Sequence, residues 1–144
     1  MQKITYSDGE YLGEFRWPST FHGKGVFFLS DGTSFSGDWT KNQPDGNGTF
    51  VWSGEDRYEG SWLQGKKHGQ GTWFGCQGRK FEGEWLLDQR HGKGTYTAFD
   101  GSRYSGEWAE DAPHGQGLYE SCDGWTYEGD WSRGEPHGRG VQVW

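Results

Sequence analysis

An aromatic residue returns about every 23 residues along this chain, and other positions return with it in a fixed order. The first aromatic row consists of Tyr11, Phe35, Tyr58, Phe81, Tyr104 and Tyr127. Each is followed two positions later by glycine and two positions after that by Trp, or by Phe15 in the first copy. A fixed period of roughly 20–50 residues indicates a solenoid or linear array rather than a closed globule.

Each copy continues with a histidine, replaced by Asp45 in the second copy, and then with Gly-x-Gly. The motif positions contain 18 of the 27 glycines, so the glycine-rich composition and the repeat have one cause. Glycine this frequent disfavours helical bundles, because it weakens helices. Ile, Leu and Val supply only eleven residues, which is too few for an aliphatic core between two layers.

The first half of each copy alternates aromatic, polar, glycine, polar and aromatic residues, which predicts a β-strand with two different faces. A turn of about six residues, a second strand and a turn such as Asp31-Gly32 complete a predicted hairpin. The predicted fold is all-β, an elongated single-layer antiparallel β-meander solenoid. Each hairpin advances by roughly 10 Å, and the glycine rows leave room for neighbouring rings to cover the backbone.

This combination of aromatic-x-Gly-x-Trp with His-Gly-x-Gly resembles the MORN repeat (membrane occupation and recognition nexus). The resemblance divides the chain into a partial N-terminal repeat or cap at residues 1–10 and six tandem repeats at residues 11–144. The repeat bounds are about 11–34, 35–57, 58–80, 81–103, 104–126 and 127–144. It implies an assembly module of the kind found in cytoskeletal, ciliary and membrane-junction proteins.

The five histidines invite a metal or catalytic interpretation, but all occupy one repeat position. Neighbouring copies lie roughly 10 Å apart, whereas zinc ligands must converge within about 2 Å of one ion. We therefore expect the imidazoles to hydrogen-bond to backbone at the hairpin ends, with Asp45 as a substitute acceptor. The periodic carboxylates, such as Glu84 and Asp130, are expected to form a solvated ladder on the polar face. No catalytic residue, metal or cofactor is predicted, and the protein is not expected to be an enzyme.

Cys76 and Cys122 are 46 residues apart, which is two whole periods. Their predicted separation of roughly 20 Å exceeds the ~7 Å Cα limit for a disulfide. Two free thiols are therefore expected, which is typical of a reducing compartment. The N-terminal residues contain no apolar run of the signal-peptide kind. The chain is predicted to be cytoplasmic, and the resemblance adds association with the cytoskeleton or a cilium.

The leading functional hypothesis is a non-catalytic scaffold that presents its aromatic and glycine face to a partner protein. The net charge of −7 favours a basic peptide or helix as partner and disfavours nucleic acid. The rings of Trp62, Trp85 and Trp108 are expected to remain free for this contact. The full set of predicted partner-binding residues is Trp39, Tyr58, Trp62, Phe81, Trp85, Tyr104, Trp108, Tyr127 and Trp131.

Two alternative functions remain open from the sequence. The first is a module that binds phosphoinositide membrane, which the family name implies but the net charge opposes. The second is an aromatic cage for carbohydrate or choline. Independently of these, the uncharged terminal segment is predicted to form a homodimer through its strand edge, with Val141, Val143 and Trp144 as the self-association residues.

Overall fold

A computed structural model describes residues 2–16 and 20–144. The strands of these residues form one antiparallel sheet in which the spatial order equals the chain order. This confirms the predicted all-β meander, and a single turn of 3₁₀ helix at Cys76–Gly78 interrupts it. The strands are β1 (Gln2–Thr5), β2 (Gly9–Arg16), β3 (Thr20–Leu29), β4 (Ser34–Thr40), β5 (Gln43–Val51), β6 (Arg57–Leu63), β7 (Lys66–Phe74), β8 (Lys80–Leu86), β9 (Gln89–Thr97), β10 (Arg103–Ala109), β11 (Ala112–Glu120), β12 (Thr126–Ser132) and β13 (Glu135–Val143).

The turns inside the second to sixth hairpins are tighter than the six residues expected from the sequence. The β6–β7 turn consists of Gln64 and Gly65, and both have positive φ, as a two-residue type I′ turn requires. The same pattern occurs at 41–42, 87–88, 110–111 and 133–134. Such turns twist in the same sense as the strands they join. The predicted turn length was wrong because the second strand begins earlier than the pattern indicates.

A β-bulge in each hairpin accounts for the residues that were assigned to the turn. In β6 and β7, Gly60 pairs with Gly71 and Trp62 pairs with Lys67, so three residues of β7 oppose one residue of β6. Gly69 lies in this bulge with φ of +88°, a conformation that favours glycine. The His-Gly part of the repeat motif therefore forms the β-bulge, which bends the strand.

The first aromatic row covers the paired glycines of its own hairpin. A methyl group added at Gly71 would overlap the ring of Tyr58, and one added at Gly60 would overlap the backbone of Gly71. The Tyr58 side chain is 0% exposed, and its hydroxyl donates to the carbonyl of Ser61 at 3.0 Å. The predicted covering of glycine backbone by rings is thus present.

The buried rings form one continuous row that joins all the hairpins, which we call the ring zipper. Each Trp of the zipper packs edge-on against the first-row ring of its own hairpin and against that of the preceding hairpin. For Trp85 the ring centroids lie 5.2 Å from Phe81 and 5.3 Å from Tyr58. Edge-to-face packing at such distances is favourable for aromatic pairs. The zipper consists of Tyr11, Trp39, Phe35, Trp62, Tyr58, Trp85, Phe81, Trp108, Tyr104, Trp131 and Tyr127.

A hydrogen bond accompanies each of these Trp contacts. The indole Nε1 of Trp62 donates to the carbonyl of Gly48 in the preceding hairpin at 3.1 Å, and Trp85 donates to Gly71 at 3.2 Å. Trp39, Trp108 and Trp131 make the same bond to the glycine 14 positions earlier. Each zipper Trp therefore satisfies its only polar atom by linking one repeat to the previous one.

Because a ring covers the glycine backbone, a methyl group added at a covered glycine is expected to lower the free energy of unfolding. Gly71→Ala should destabilise the fold by about 1–3 kcal/mol, because the added methyl group overpacks the Tyr58 ring. Gly54→Ala is the matched control, since no atom lies within 4 Å of the added carbon. Urea unfolding followed by tryptophan fluorescence measures both variants. Equal unfolding midpoints would contradict the proposed role of the glycine row.

Candidate functional site

The structure buries most of the residues that the sequence analysis assigned to a partner. The expectation that three central Trp rings remain free is wrong, because Trp62 and Trp85 are each 7% exposed and Trp108 is 4% exposed. Their faces and edges are used in the ring zipper. Trp39, Tyr58, Phe81, Tyr104 and Trp131 are likewise buried, and only Tyr127 of the predicted set is half-buried.

The accessible part of the aromatic face is a third aromatic row, which we call the outer ring row. These rings belong to the second strand of each hairpin and are half-buried against the zipper. Their period was visible in the sequence, but strand alternation places all three rows on one face and does not distinguish their depth. The outer ring row consists of Phe27, Phe50, Trp73, Tyr96 and Tyr119.

A groove of about 340 Å³, the central groove, lies on this face in the third and fourth repeats. Its lining combines rings with charged side chains. The lining residues are Lys67, Trp73, Arg79, Phe81, Trp85, Asp88, Arg90, Tyr96 and Asp111.

The cations of the central groove are held against aromatic faces and acids. The Arg90 guanidinium lies 4.6 Å from the centroid of the Trp108 ring, and its Nε donates to Asp111 Oδ1 at 2.6 Å. Lys67 Nζ lies 5.0 Å from the Trp85 centroid and 5.3 Å from that of Trp52. Burial lowers the pKa of Lys67, while the charges of Asp88 and Asp111 act in the opposite direction. Lys67 therefore occupies an aromatic cage built by its own chain.

A second groove of about 390 Å³, the C-terminal groove, lies in the last two repeats. Its lining is made of rings, prolines, glycine and one amide. The lining residues are Tyr104, Pro113, Tyr119, Trp125, Tyr127, Trp131, Gly134, Pro136 and Gln142.

The two grooves occupy equivalent positions of the repeat array, displaced by 46 residues or two periods. The rings of Trp73, Phe81 and Trp85 correspond to those of Tyr119, Tyr127 and Trp131, whereas Tyr96 corresponds to Gln142 and the rest of the lining differs. Lys67, Arg79, Asp88 and Arg90 of the central groove correspond to Pro113, Trp125, Gly134 and Pro136 of the C-terminal groove. The same backbone arrangement thus forms the charged central groove and, two repeats later, the uncharged C-terminal groove.

Comparison with known families identifies the array. The family model described as MORN repeat matches most of the chain in six segments, at residues 20–34, 35–57, 58–78, 81–103, 104–126 and 127–144. The chain belongs to the MORN repeat family. MORN repeats are a non-catalytic repeat type and generally serve in protein or membrane interaction. A search of curated proteins finds no match.

The polar face of the MORN sheet uses several carboxylates to hold the bulges. Glu84 Oε2 accepts a hydrogen bond from the backbone N–H of Lys93 at 2.6 Å, and Asp130 Oδ2 accepts one from Arg139 at 2.9 Å. Asp38 does the same for Asn47, and the Lys24 ammonium together with this N–H lowers the pKa of Asp38. These three carboxylates lie on the polar face as the predicted ladder requires, and each in addition accepts a hydrogen bond from a backbone donor of the bulge, which was not predicted.

The histidine of the MORN motif does not have the role expected at His68. Its Nδ1 is buried and has no hydrogen-bond partner among the described residues, so the predicted bond to backbone is wrong there. Asp88 instead makes a hydrogen bond at a hairpin end, where its Oδ1 accepts from the backbone N–H of Lys67 at 2.8 Å.

Cys76 and Cys122 are exposed and free, in agreement with the repeat geometry. Within residues 2–16 and 20–144, no group of three or more His, Cys, Asp or Glu side chains could hold a metal ion. The same residues contain no helix with the length and apolarity needed to cross a bilayer.

Proposed function

We propose that this MORN array is a non-catalytic scaffold that binds an extended segment of a partner protein along the outer ring row. The observation that carries the proposal is the pair of equivalent grooves, which present partly exposed rings on one face of the sheet. Aromatic side chains are enriched among interface residues that carry binding energy. The zipper rings take part indirectly, by fixing the positions of the outer rings.

The charge distribution supports a basic partner. Residues 104–144 contain eight acidic and two basic side chains, whereas residues 1–103 contain thirteen acidic and twelve basic ones. Nearly all the net charge of −7 therefore lies in the last two repeats, which also contain the C-terminal groove. Such asymmetry favours Lys- or Arg-containing partners through electrostatic steering.

A cytoplasmic assembly associated with the cytoskeleton or a cilium remains our proposal for the setting. The exposed free thiols support a reducing compartment.

The two alternative functions are less well supported by the groove chemistry. A phosphoinositide headgroup would find Lys67, Arg79 and Arg90 in the central groove, but Asp88 and Asp111 offset two of these charges. A choline-like cation would compete with Lys67 for its aromatic cage. Sedimentation with phosphoinositide vesicles at physiological salt tests the membrane alternative, and robust binding would favour it over the scaffold.

Site-specific photocross-linking should locate the partner on the aromatic face. A photoreactive phenylalanine analogue in place of Tyr96, within the outer ring row, is expected to cross-link a basic partner protein. The matched control carries the analogue in place of exposed Glu82, on the opposite face of the neighbouring strand. Mass spectrometry identifies the adducts. Equal or stronger cross-linking from position 82 would contradict the proposal.

A second copy of the chain is our proposed partner for the free edge of β13. This strand is exposed along its whole length, and Val141 is 64% exposed while Trp144 is 84% exposed. The unpaired backbone groups of an edge strand are a template for pairing with another chain. The outer ring row lies on strands other than β13, so binding along the central repeats should be separable from self-association, whereas β13 also contributes Pro136 and Gln142 to the C-terminal groove.

Charged substitutions at this edge should produce a monomer. We expect Val141→Lys with Val143→Lys to halve the mass measured by light scattering, because like charges would face each other across the paired edges. Val141→Thr with Val143→Thr is the control, since it retains β-branched side chains without charge and should remain dimeric. If the lysine variant keeps the parent's mass, the edge does not mediate association.

A further inference from the structure

We propose that the C-terminal groove binds a proline-rich segment in the polyproline II conformation, flanked by Lys or Arg. This inference rests on the proposed scaffold function and specifies the chemistry of its partner. It depends on three properties of the groove: the uncharged lining, the free hydrogen-bond donors and the position of Trp125.

The lining matches the surface of a proline-rich ligand. Among the described residues that line the C-terminal groove none carries a charge, and most are rings or prolines. Tyr119 and Trp125 lie side by side, with centroids 5.2 Å apart and planes inclined by 45°. Neighbouring aromatic rings of this kind accept the flat, apolar faces of polyproline II segments, which lose little entropy on binding because they are already extended.

The hydrogen-bond donors of the groove divide into satisfied and free groups. The zipper rings of the groove use their donors internally, since Tyr127 donates to the carbonyl of Asp130 and Trp131 donates to that of Gly117. The Tyr119 hydroxyl, the Trp125 indole N–H and the Gln142 amide have no hydrogen bond within the described part of the chain. A proline-rich segment presents carbonyl acceptors, while each of its prolines lacks an N–H group. The free donors therefore complement such a segment.

Trp125 is a departure from the chain's own repeat. The equivalent positions in other copies hold Thr33, Asp56, Arg79 and Ser102. These residues show that the fold does not need a ring at this position. The half-exposed Trp125 is outside the ring zipper. Its ring packs beside Tyr119 and beside the terminal Trp144, whose ring centroid is 5.9 Å away, and its remaining surface is available to a ligand. A residue that breaks a local pattern without a structural need is a candidate for function.

The basic flanks follow from the surrounding charge. Residues 104–144 carry eight acidic side chains and, as cations, Arg133 and Arg139. The side chains of Glu107, Glu128 and Asp130 lie on the opposite face of the sheet, whereas Asp111 and Asp123 are two residues away from the lining residues Pro113 and Trp125. Lys or Arg beside the proline segment would meet Asp111 and Asp123, while the prolines would occupy the groove itself. Charges at the rim mainly raise the rate of association and select the partner.

Titration of the full chain with a lysine-flanked oligoproline peptide tests the proposal. Fluorescence anisotropy of the labelled peptide measures affinity, and the indole NMR signal of Trp125 reports where it binds. The matched peptide keeps the lysines and replaces the prolines with alternating glycine and serine. We expect the proline peptide to bind at least about tenfold more tightly than the glycine-serine peptide and to shift the Trp125 signal.

Variants of the two grooves complete the test. Trp125→Ser installs the residue found at the equivalent Ser102 and should weaken binding by about tenfold or more. Tyr119→Phe keeps the ring, removes one donor and should weaken binding by a smaller factor. Arg79→Ser makes the corresponding change in the central groove and should leave the affinity of the proline peptide unchanged. Circular dichroism confirms that each variant is folded.

The proposal is overturned if the two peptides bind equally, if neither binds, or if Trp125→Ser binds as tightly as the parent. Equal affinities of the two peptides would show that their shared lysine charges alone account for binding. The proposed scaffold function is judged separately by cross-linking from position 96, which depends on the outer ring row and uses no proline peptide. A partner captured there despite failure of the proline peptide would retain the scaffold and reject this ligand class.

Discussion

The covering of paired glycines by an aromatic ring is the contact on which this structure depends. Gly60 and Gly71 pair across a hairpin, and the absence of side chains lets the Tyr58 ring lie directly on their backbone. A sheet normally buries a face against a second layer. Here the rings and the glycine backbone of the same sheet supply that burial. A single layer of strands can therefore be ordered without an aliphatic core, and stability arises between neighbouring repeats.

This use of aromatic residues determines where a ligand can bind. The Trp positions of the zipper are constrained to large aromatic side chains, because each of these rings packs against the rings of two hairpins. Positions around the zipper are freer to differ, as Lys67 and Pro113 illustrate at equivalent sites. The MORN array thus separates a constant structural row from a variable surface. Recognition chemistry can change from one repeat to the next without altering the backbone.

Much of the fold could be predicted from the sequence because the repeat shows both the alternation and the glycine rows. The sequence does not distinguish the buried rings from the accessible ones, because Trp62 and Trp73 both alternate onto the same face of the sheet and have similar neighbours in the chain. Their depth depends on the indole bond from Trp62 to Gly48, which joins residues 14 positions apart. The role of the carboxylates was missed because the His-Gly segment was assigned to a turn, so the backbone donors that its bulge exposes were not foreseen. The grooves could not be predicted because each is lined by residues of several strands that only the folded array brings together.

Hydrogen exchange of the indole N–H groups, followed by NMR, tests the central claim most directly. The five zipper indoles, on Trp39, Trp62, Trp85, Trp108 and Trp131, donate to glycine carbonyls of the preceding repeat. They should exchange slowly, because exchange requires separation of neighbouring hairpins. Trp73, Trp125 and Trp144 lie outside these bonds and should exchange rapidly. Rapid exchange at all of these indoles in the folded protein would contradict the ring zipper as the element that joins the repeats.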